Sequence, residues 1–196
     1  MARRGIRHEP RDRALESELK FRLAGPRDHT RLRALLKEKG YRSEGSYDEQ
    51  NLRFVLPGKS KGRASLRLRI LDGGPQGILT AKGPAHFSNG VKTREETEVA
   101  VGDARATHDL LLALGCRVQF SYEKHRATWK QDSVAVTLDI LEFGWFVEVE
   151  GPAEVLVETA AGLGLDPARA VRDSYSTLAR KFLAAAKKLP KPATNS

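Results

Sequence analysis

The sequence predicts an α+β fold in which about four helices cover an antiparallel sheet of about eight strands. Many short segments alternate between polar and apolar residues, and this period of two is typical of strands. A few longer segments carry apolar residues three and four positions apart, as amphipathic helices do. The chain has 196 residues, of which 40% are hydrophobic. This size and composition suit one domain with a substantial core.

The alternating segments are interpreted as strands. The first is the clearest, because Glu16, Glu18 and Lys20 alternate with mainly apolar residues and successive side chains of a strand point to opposite faces. Turn-forming residues at 72–75 predict a hairpin between two of the later strands. The predicted strands span residues 14–24, 45–56, 64–71, 77–82, 92–101, 117–130, 133–142 and 145–151.

Four segments have helical periodicity. Gly40 is expected to end the first helix, because glycine readily adopts the left-handed conformation that follows many helices. Pro152 is expected to open the third, because proline is favoured in the first turn. Residues 57–63 and the polar segment after Gly83-Pro84 are interpreted as loops. The predicted helices span residues 26–40, 102–115, 152–164 and 174–188.

Composition limits the classes of function. The net charge of +9 favours anionic partners, although part of it lies in segments 1–13 and 189–196, which we interpret as flexible tails around a single domain, 14–188. The single cysteine, Cys116, excludes an internal disulfide and is expected to be buried. No run of 18 apolar residues and no signal peptide is present, so we expect a cytoplasmic protein.

One face of most predicted strands is charged and the other is mainly apolar. Because amphipathic helices need an apolar surface to pack on, the charged face should be turned away from them. Its acidic residues are Glu16, Glu18, Glu96, Glu98, Asp139, Glu148 and Glu150. Its basic residues are Lys20, Arg67, Arg69, Lys82, Arg94, Lys124 and Arg126, with Lys92 as a less clear member.

The pattern allows two arrangements of this charged face. It could be an open, solvated sheet surface, or the sheet could curl into a barrel whose interior is charged. Four arginines, whose planar fork matches phosphate oxygens, favour the barrel. So do the acidic pairs two positions apart, which can present oxygens to a hard cation. A polyphosphate with Mg²⁺ or Mn²⁺ would satisfy both sets of charges.

These motifs resemble the CYTH superfamily, also called the triphosphate tunnel metalloenzymes. The resemblance begins at Glu16-x-Glu18-x-Lys20 and covers about residues 14–183, with one departure at Val55, where many relatives have an aspartate. Its further blocks are Leu66-Arg67-Leu68-Arg69, Leu79-Thr80-Ala81-Lys82-Gly83-Pro84, Arg94-x-Glu96-x-Glu98, Glu123-Lys124-x-Arg126, Leu138-Asp139, Gly144-x-Phe146-x-Glu148-x-Glu150 and Ser174-Tyr175.

The resemblance implies an eight-stranded antiparallel barrel, open as a tunnel and surrounded by helices. It implies that Glu16, Glu18, Glu148 and Glu150 bind the metal, supported by Asp139 and the pair Glu96 and Glu98. It also implies that the seven clear basic residues of the charged face hold a triphosphate. Glu16, Glu18, Lys20 and Lys82 are the predicted catalytic residues.

Family members share the triphosphate site and differ in the nucleophile. Because no cluster suggests an adenine pocket, we favour metal-dependent hydrolysis of inorganic tripolyphosphate, thiamine triphosphate or a nucleoside triphosphate. A class IV adenylate cyclase is the alternative, and a non-catalytic polyphosphate or nucleic-acid binder is a third. The aromatic residues Trp129, Trp145 and Phe146 are expected to be mainly packing residues. We expect a monomer or homodimer that binds neither nucleic acid nor membranes.

Overall fold

The computed structural model describes residues 14–58 and 65–186. The predicted flexible segments, 1–13 and 189–196, and most of the predicted loop 57–63 therefore lie outside the described residues.

The described residues form nine strands, and eight of them correspond to the predicted ones. The second begins at Arg42, three residues earlier than predicted. The additional strand, His86–Ser88, lies where a loop was predicted and pairs with the strand that follows it; three residues are too few to show a period of two. The strands are β1 (Ala14–Leu23), β2 (Arg42–Val55), β3 (Ser65–Leu71), β4 (Gly77–Lys82), β5 (His86–Ser88), β6 (Val91–Val101), β7 (Arg117–Gln131), β8 (Val134–Leu141) and β9 (Gly144–Glu150).

Eight of the strands form a closed antiparallel barrel. Their order is β1-β9-β8-β7-β2-β3-β4-β6, and β6 pairs with β1 to close the ring. The register at the closure places Glu18 opposite Lys92 and Glu16 opposite Arg94. The predicted barrel is therefore confirmed. The open-sheet alternative is wrong, because the two edge strands, β1 and β6, pair with each other.

In the part of the chain that the structure describes, four α-helices surround the barrel: α1 (Pro26–Glu38), α2 (Ala104–Ala113), α3 (Ala153–Gly162) and α4 (Tyr175–Ala186). A short 3₁₀ turn, Pro167–Arg169, lies between the last two. As predicted, α1 ends just before Gly40, which adopts a left-handed φ of 84°. Asp103 caps α2 by accepting a hydrogen bond from the Ala106 N–H at 2.8 Å, which satisfies one of the free amides of the first turn.

The helices pack on the outer, apolar face of the barrel. Leu32 and Leu36 of α1 and Leu156 of α3 are buried against a cluster that contains Leu19 and Val149 of the strands. This arrangement confirms that the apolar face is turned towards the helices. The charged face is consequently turned into the barrel.

A second, smaller cluster lies beneath α2. It joins Leu111 of that helix to Phe54 and Leu68 of the barrel. Cys116 belongs to the same cluster and is buried, as predicted. Within residues 14–58 and 65–186, no helix has the length and apolar character needed to cross a membrane.

Candidate active site

The interior of the barrel holds a charged cavity of about 230 Å³, here called the tunnel cavity. Alternation along each strand directs every second side chain into it. Its acidic lining residues are Glu16, Glu18, Glu148 and Glu150. Its basic lining residues are Lys20, Arg53, Arg67, Arg69, Lys82, Lys92, Arg94, Lys124, Arg126 and Arg180. The lining is thus dominated by basic residues and suits an anion of high charge.

Three carboxylates of the tunnel cavity, here called the acidic cluster, lie close enough to share one cation. Glu16, Glu18 and Glu150 each offer an oxygen, and these oxygens lie within 4.8 Å of one another. They meet because β1 pairs with β9, where Glu18 lies opposite Glu150. Glu16 lies two positions before Glu18 and therefore on the same face of β1.

The acidic cluster is partly buried, and this burial changes the pKa values of its carboxyl groups. Burial, and after it the neighbouring carboxyl of Glu96, raise the pKa of Glu16. Burial and then Glu148 raise the pKa of Glu150. For Glu18 the ammonium groups of Lys20 and Lys92 outweigh burial and lower the pKa. Crowded carboxyls with raised pKa values bind protons or cations readily, because either relieves their repulsion.

A second group of charges centres on Arg126. Its guanidinium donates two hydrogen bonds of 2.7 Å to the Asp139 carboxylate and a further one to Glu148. Glu148 also pairs with the Lys20 ammonium at 3.0 Å. Asp139 and Glu148, both predicted metal ligands, therefore lie in the barrel wall within ion pairs, and Asp139 is completely buried.

A third group lies on β3, β4 and β6. The Glu96 carboxylate accepts hydrogen bonds of 2.6 Å from Lys82 and from Arg94. The Glu98 carboxylate accepts one of 2.7 Å from Thr80 and lies 3.7 Å from Arg67. These two predicted metal-binding acids thus contact predicted phosphate-binding residues and are not part of the acidic cluster.

Lys82 links the third group to the acidic cluster. Its ammonium nitrogen lies 2.6 Å from Glu96 and 3.9 Å from Glu16. Burial, and then the charge of Arg67, lower the pKa of Lys82 to about 8. The Lys20 ammonium lies 3.9 Å from Glu18. Both predicted catalytic lysines, Lys20 and Lys82, therefore lie beside carboxylates of the acidic cluster.

Arg69 and Lys124 share a buried partner that was not among the predicted site residues. The Glu49 carboxylate lies 3.3 Å from Arg69 and 3.2 Å from Lys124 and accepts a hydrogen bond from Asn51. Glu49, Asn51 and Arg53 alternate along β2 in the same way as the charges of β1 do. That alternation is a sequence signal that places all three on the charged face.

Two further residues come from a helix, where alternation gives no signal, although Ser174-Tyr175 is one of the blocks of the family resemblance. Tyr175, at the start of α4, donates a hydrogen bond of 2.7 Å to Asp139, and the Lys20 ammonium lies 4.1 Å from the centre of its ring. Arg180 lines the tunnel cavity from the same helix. Period-two alternation says nothing about a helix that lies against a barrel, so these contacts depend on tertiary structure.

The comparisons with known proteins agree with this architecture. A family model described as the CYTH domain matches residues 14–189. The chain therefore belongs to the CYTH domain family, whose members include metal-dependent triphosphatases and adenylate cyclases. A search of curated protein sequences found no match.

Three solved structures illustrate the shared fold. The PH1819 protein from Pyrococcus horikoshii OT3 is 25% identical, with a TM-score of 0.71 over 85% of this chain and 99% of that one. A putative adenylate cyclase from Vibrio parahaemolyticus is 20% identical, with a TM-score of 0.73 over 85% and 98%. The putative adenylyl cyclase HpAC1 from Hippeastrum, described as having a dominant triphosphatase activity, is 19% identical, with a TM-score of 0.62 over 92% and 100%.

The acidic cluster fits the divalent cation that the family uses. Its three carboxylates supply hard oxygen donors, which Mg²⁺ and Mn²⁺ prefer. The raised pKa values of Glu16 and Glu150 indicate a site in which an additional positive charge is favourable. Three protein ligands leave room for water and phosphate oxygens, as Mg²⁺ sites at phosphates usually do.

Proposed function

We propose that this protein hydrolyses a triphosphate in its tunnel cavity with Mg²⁺ or Mn²⁺ as cofactor. The observation that carries the proposal is the enclosed cavity in which basic residues outnumber acidic ones and the acidic cluster brings three carboxylates together. Basic residues alone would suit any polyanion. The acidic cluster would repel a phosphate chain unless a cation lay between them, so both features together favour a metal-bound polyphosphate.

Glu16, Glu18 and Glu150 would hold the metal. The other predicted metal residues would orient the lysine and arginine side chains that they contact; these residues are Asp139, Glu96, Glu98 and Glu148. When bound, the divalent cation supplies charge neutralisation at the phosphate oxygens during transfer.

The basic residues would bind and orient the phosphate chain. Arg67 and Arg94 offer planar guanidinium groups to phosphate oxygens. Lys82 would add a charge between this pair and the acidic cluster, and Lys20, Arg69, Lys124 and Arg126 would complete the predicted set. These contacts strengthen as negative charge develops on the leaving phosphate, which lowers the barrier.

The chemical step would be attack by water on a terminal phosphorus. A carboxylate of the acidic cluster would orient the water and accept its proton. The bond between that phosphorus and the bridging oxygen would break, and its electrons would remain on the leaving phosphate chain. Tripolyphosphate would thus give orthophosphate and diphosphate.

A second candidate function, adenylate cyclase, is supported by a neighbouring cavity of about 1030 Å³. This cavity shares Tyr122 and Lys124 with the tunnel cavity and is also lined by Phe143 and Phe182. Aromatic rings beside a phosphate site could stack on a nucleobase. In that reaction the ribose 3′-hydroxyl of ATP would replace water as the nucleophile and diphosphate would leave.

One experiment separates these functions. The protein is incubated with tripolyphosphate, thiamine triphosphate or ATP, each with Mg²⁺ or Mn²⁺, and the products are resolved by anion-exchange chromatography. We expect orthophosphate from at least one substrate. Cyclic AMP with diphosphate from ATP would establish the cyclase instead. Unchanged substrates under all conditions would contradict both enzymes and favour a non-catalytic polyphosphate binder.

A further inference from the structure

Arg53 and Arg180 differ from the other basic residues of the tunnel cavity. Each of the other eight has a carboxylate oxygen within 3.7 Å. Neither Arg53 nor Arg180 forms an ion pair with any residue in 14–58 or 65–186, although both line the cavity. Arg53 is half-buried, whereas Arg180 is exposed at the edge of the cavity. Half-buried cations are usually paired, so the unpaired Arg53, with the second arginine lining the same cavity, indicates a place for an anion.

The topology places Arg53 far from the acidic cluster. In the closed ring of eight strands, β2 is four places from β1 in either direction. Arg53 on β2 therefore lies on the wall that faces Glu16 and Glu18. It lies opposite Arg67 in the register between β2 and β3, and Arg180 reaches the same cavity from α4.

Arg53 is close enough to other arginines of the tunnel cavity to be repelled by them, including Arg94 on the facing wall. After burial, the charges of Arg94, Arg67 and Arg180 all lower the pKa of Arg53. The Nε atom of Arg67 is buried and has no hydrogen-bond partner among the described residues. A buried donor without an acceptor is unfavourable, and a bound anion would correct both the missing bond and the repulsion.

We propose that Arg53 and Arg180 form an outer phosphate subsite of the tunnel cavity, which binds an additional phosphate group of the substrate chain. This inference rests on the proposed function, because it takes the substrate to be a polyphosphate. Guanidinium groups suit this role, since their fork binds two phosphate oxygens at once. A triphosphate held at the acidic cluster can extend towards this wall, whereas a diphosphate gains less from it. The subsite therefore selects for the number of phosphate groups.

The test compares the binding of tripolyphosphate and diphosphate by isothermal titration calorimetry with Ca²⁺ in place of Mg²⁺, because Ca²⁺ is a hard divalent cation that carboxylates also bind. The variants are Arg53→Gln and Arg180→Gln, which remove one charge each, and Arg31→Gln, a control that removes an exposed charge of α1. We expect each subsite variant to weaken tripolyphosphate binding at least about tenfold and diphosphate binding less than about threefold. Arg31→Gln should leave both affinities within about twofold of the unmodified protein.

Circular dichroism confirms that each variant is folded before the titrations are compared. The subsite would be overturned if the subsite variants lost equal affinity for both ligands or lost no affinity. It would also be overturned if Arg31→Gln lost as much affinity for tripolyphosphate as the subsite variants do. Absence of tripolyphosphate binding to the unmodified protein would overturn the subsite and the proposed function together. Selective binding as expected, but without hydrolysis of any triphosphate when Mg²⁺ is added, would contradict only the proposed function.

Discussion

At the scale of single residues, the carboxylates of the barrel interior fall into two kinds. Asp139, Glu96 and Glu148 are held by strong ion pairs, so their negative charge is already balanced. Glu16 and Glu150 have raised pKa values because they are buried near other acids. In the proposed function the first kind orients the basic side chains that it contacts, and the second receives the metal together with Glu18, which is itself paired with Lys92. Substitutions in the two kinds should therefore have different effects.

For the acidic cluster, we predict that Glu16→Gln or Glu18→Gln reduces metal-dependent turnover of a triphosphate by at least about 100-fold. Each substitution keeps the size of the side chain and removes an anionic oxygen donor, so the fold should persist. Steady-state kinetics over a range of Mg²⁺ and Mn²⁺ concentrations measures the effect. Glu154→Gln, on the exposed side of α3, is the matched control. Normal turnover in both variants would remove the metal assignment.

For the ion-paired carboxylates, we predict that Asp139→Ala lowers the free energy of unfolding by about 3–5 kcal/mol. Asp139 is completely buried, and its loss leaves the Arg126 guanidinium with fewer partners in a low dielectric. Urea titration followed by circular dichroism measures this change. Glu44→Ala, which breaks the exposed pair with Arg42, should cost less than about 1 kcal/mol. Similar small losses in both variants would contradict the structural role of Asp139.

At the scale of elements, α4 is attached to the barrel through its first residue. The Tyr175 hydroxyl reaches Asp139, and its ring lies edge-on to Phe146, with centroids 5.3 Å apart. Lys20 lies over the same ring. One side chain therefore links the helix to the charged interior of the barrel.

We predict that Tyr175→Ala accelerates amide hydrogen exchange in 176–186 by at least about tenfold, because it removes the hydrogen bond and the aromatic contact together. Tyr175→Phe keeps the ring and should have a smaller effect. Hydrogen exchange followed by mass spectrometry measures both, and peptides from α1 serve as an internal control. Unchanged exchange of α4 in the alanine variant would show that other contacts hold the helix.

At the scale of the whole molecule, stability should depend on pH through ion pairs inside the barrel. The carboxyl of Glu49 shows most clearly whether stability rises or falls with pH. Burial alone would raise its pKa, but the charges of Lys124 and Arg69 outweigh burial and lower the pKa from 4.5 to about 2. A carboxyl with a lowered folded-state pKa binds fewer protons in the folded than in the unfolded state. Its contribution is therefore present above about pH 5 and is lost as the pH falls towards 2.

We predict that this contribution is on the order of 3 kcal/mol. Glu49→Gln should be less stable than the unmodified protein at pH 7, and the difference should shrink steadily between about pH 5 and pH 2. Urea titrations at several pH values measure it. Asp109→Asn, at a largely exposed site, serves as the control. A constant difference across this pH range would show that Glu49 acts by packing and not by charge.

Much of this organisation was accessible from the alternation of residues. The strands, the helices and the split between a charged and an apolar face follow from local periodicity, because each face is decided by the direction of neighbouring side chains. Glu49 and Arg53 show the same alternation along β2, so their place on the charged face was also predictable from the sequence. The strand β5 was missed because its pairing with β6 depends on a neighbour and not on its own pattern.

The sequence by itself determined which side chains share a face, and therefore that one face had to be charged and the other had to receive the helices. Only the tertiary structure decided which charges meet. Glu18 and Lys92 are 74 positions apart and form a hydrogen bond only because β1 and β6 close the barrel. Arg53 and Arg180 share a cavity only because α4 lies against it. Periodicity is a local property of the chain, whereas closure and helix docking depend on contacts between segments distant in sequence, and those contacts determine the electrostatics of the site.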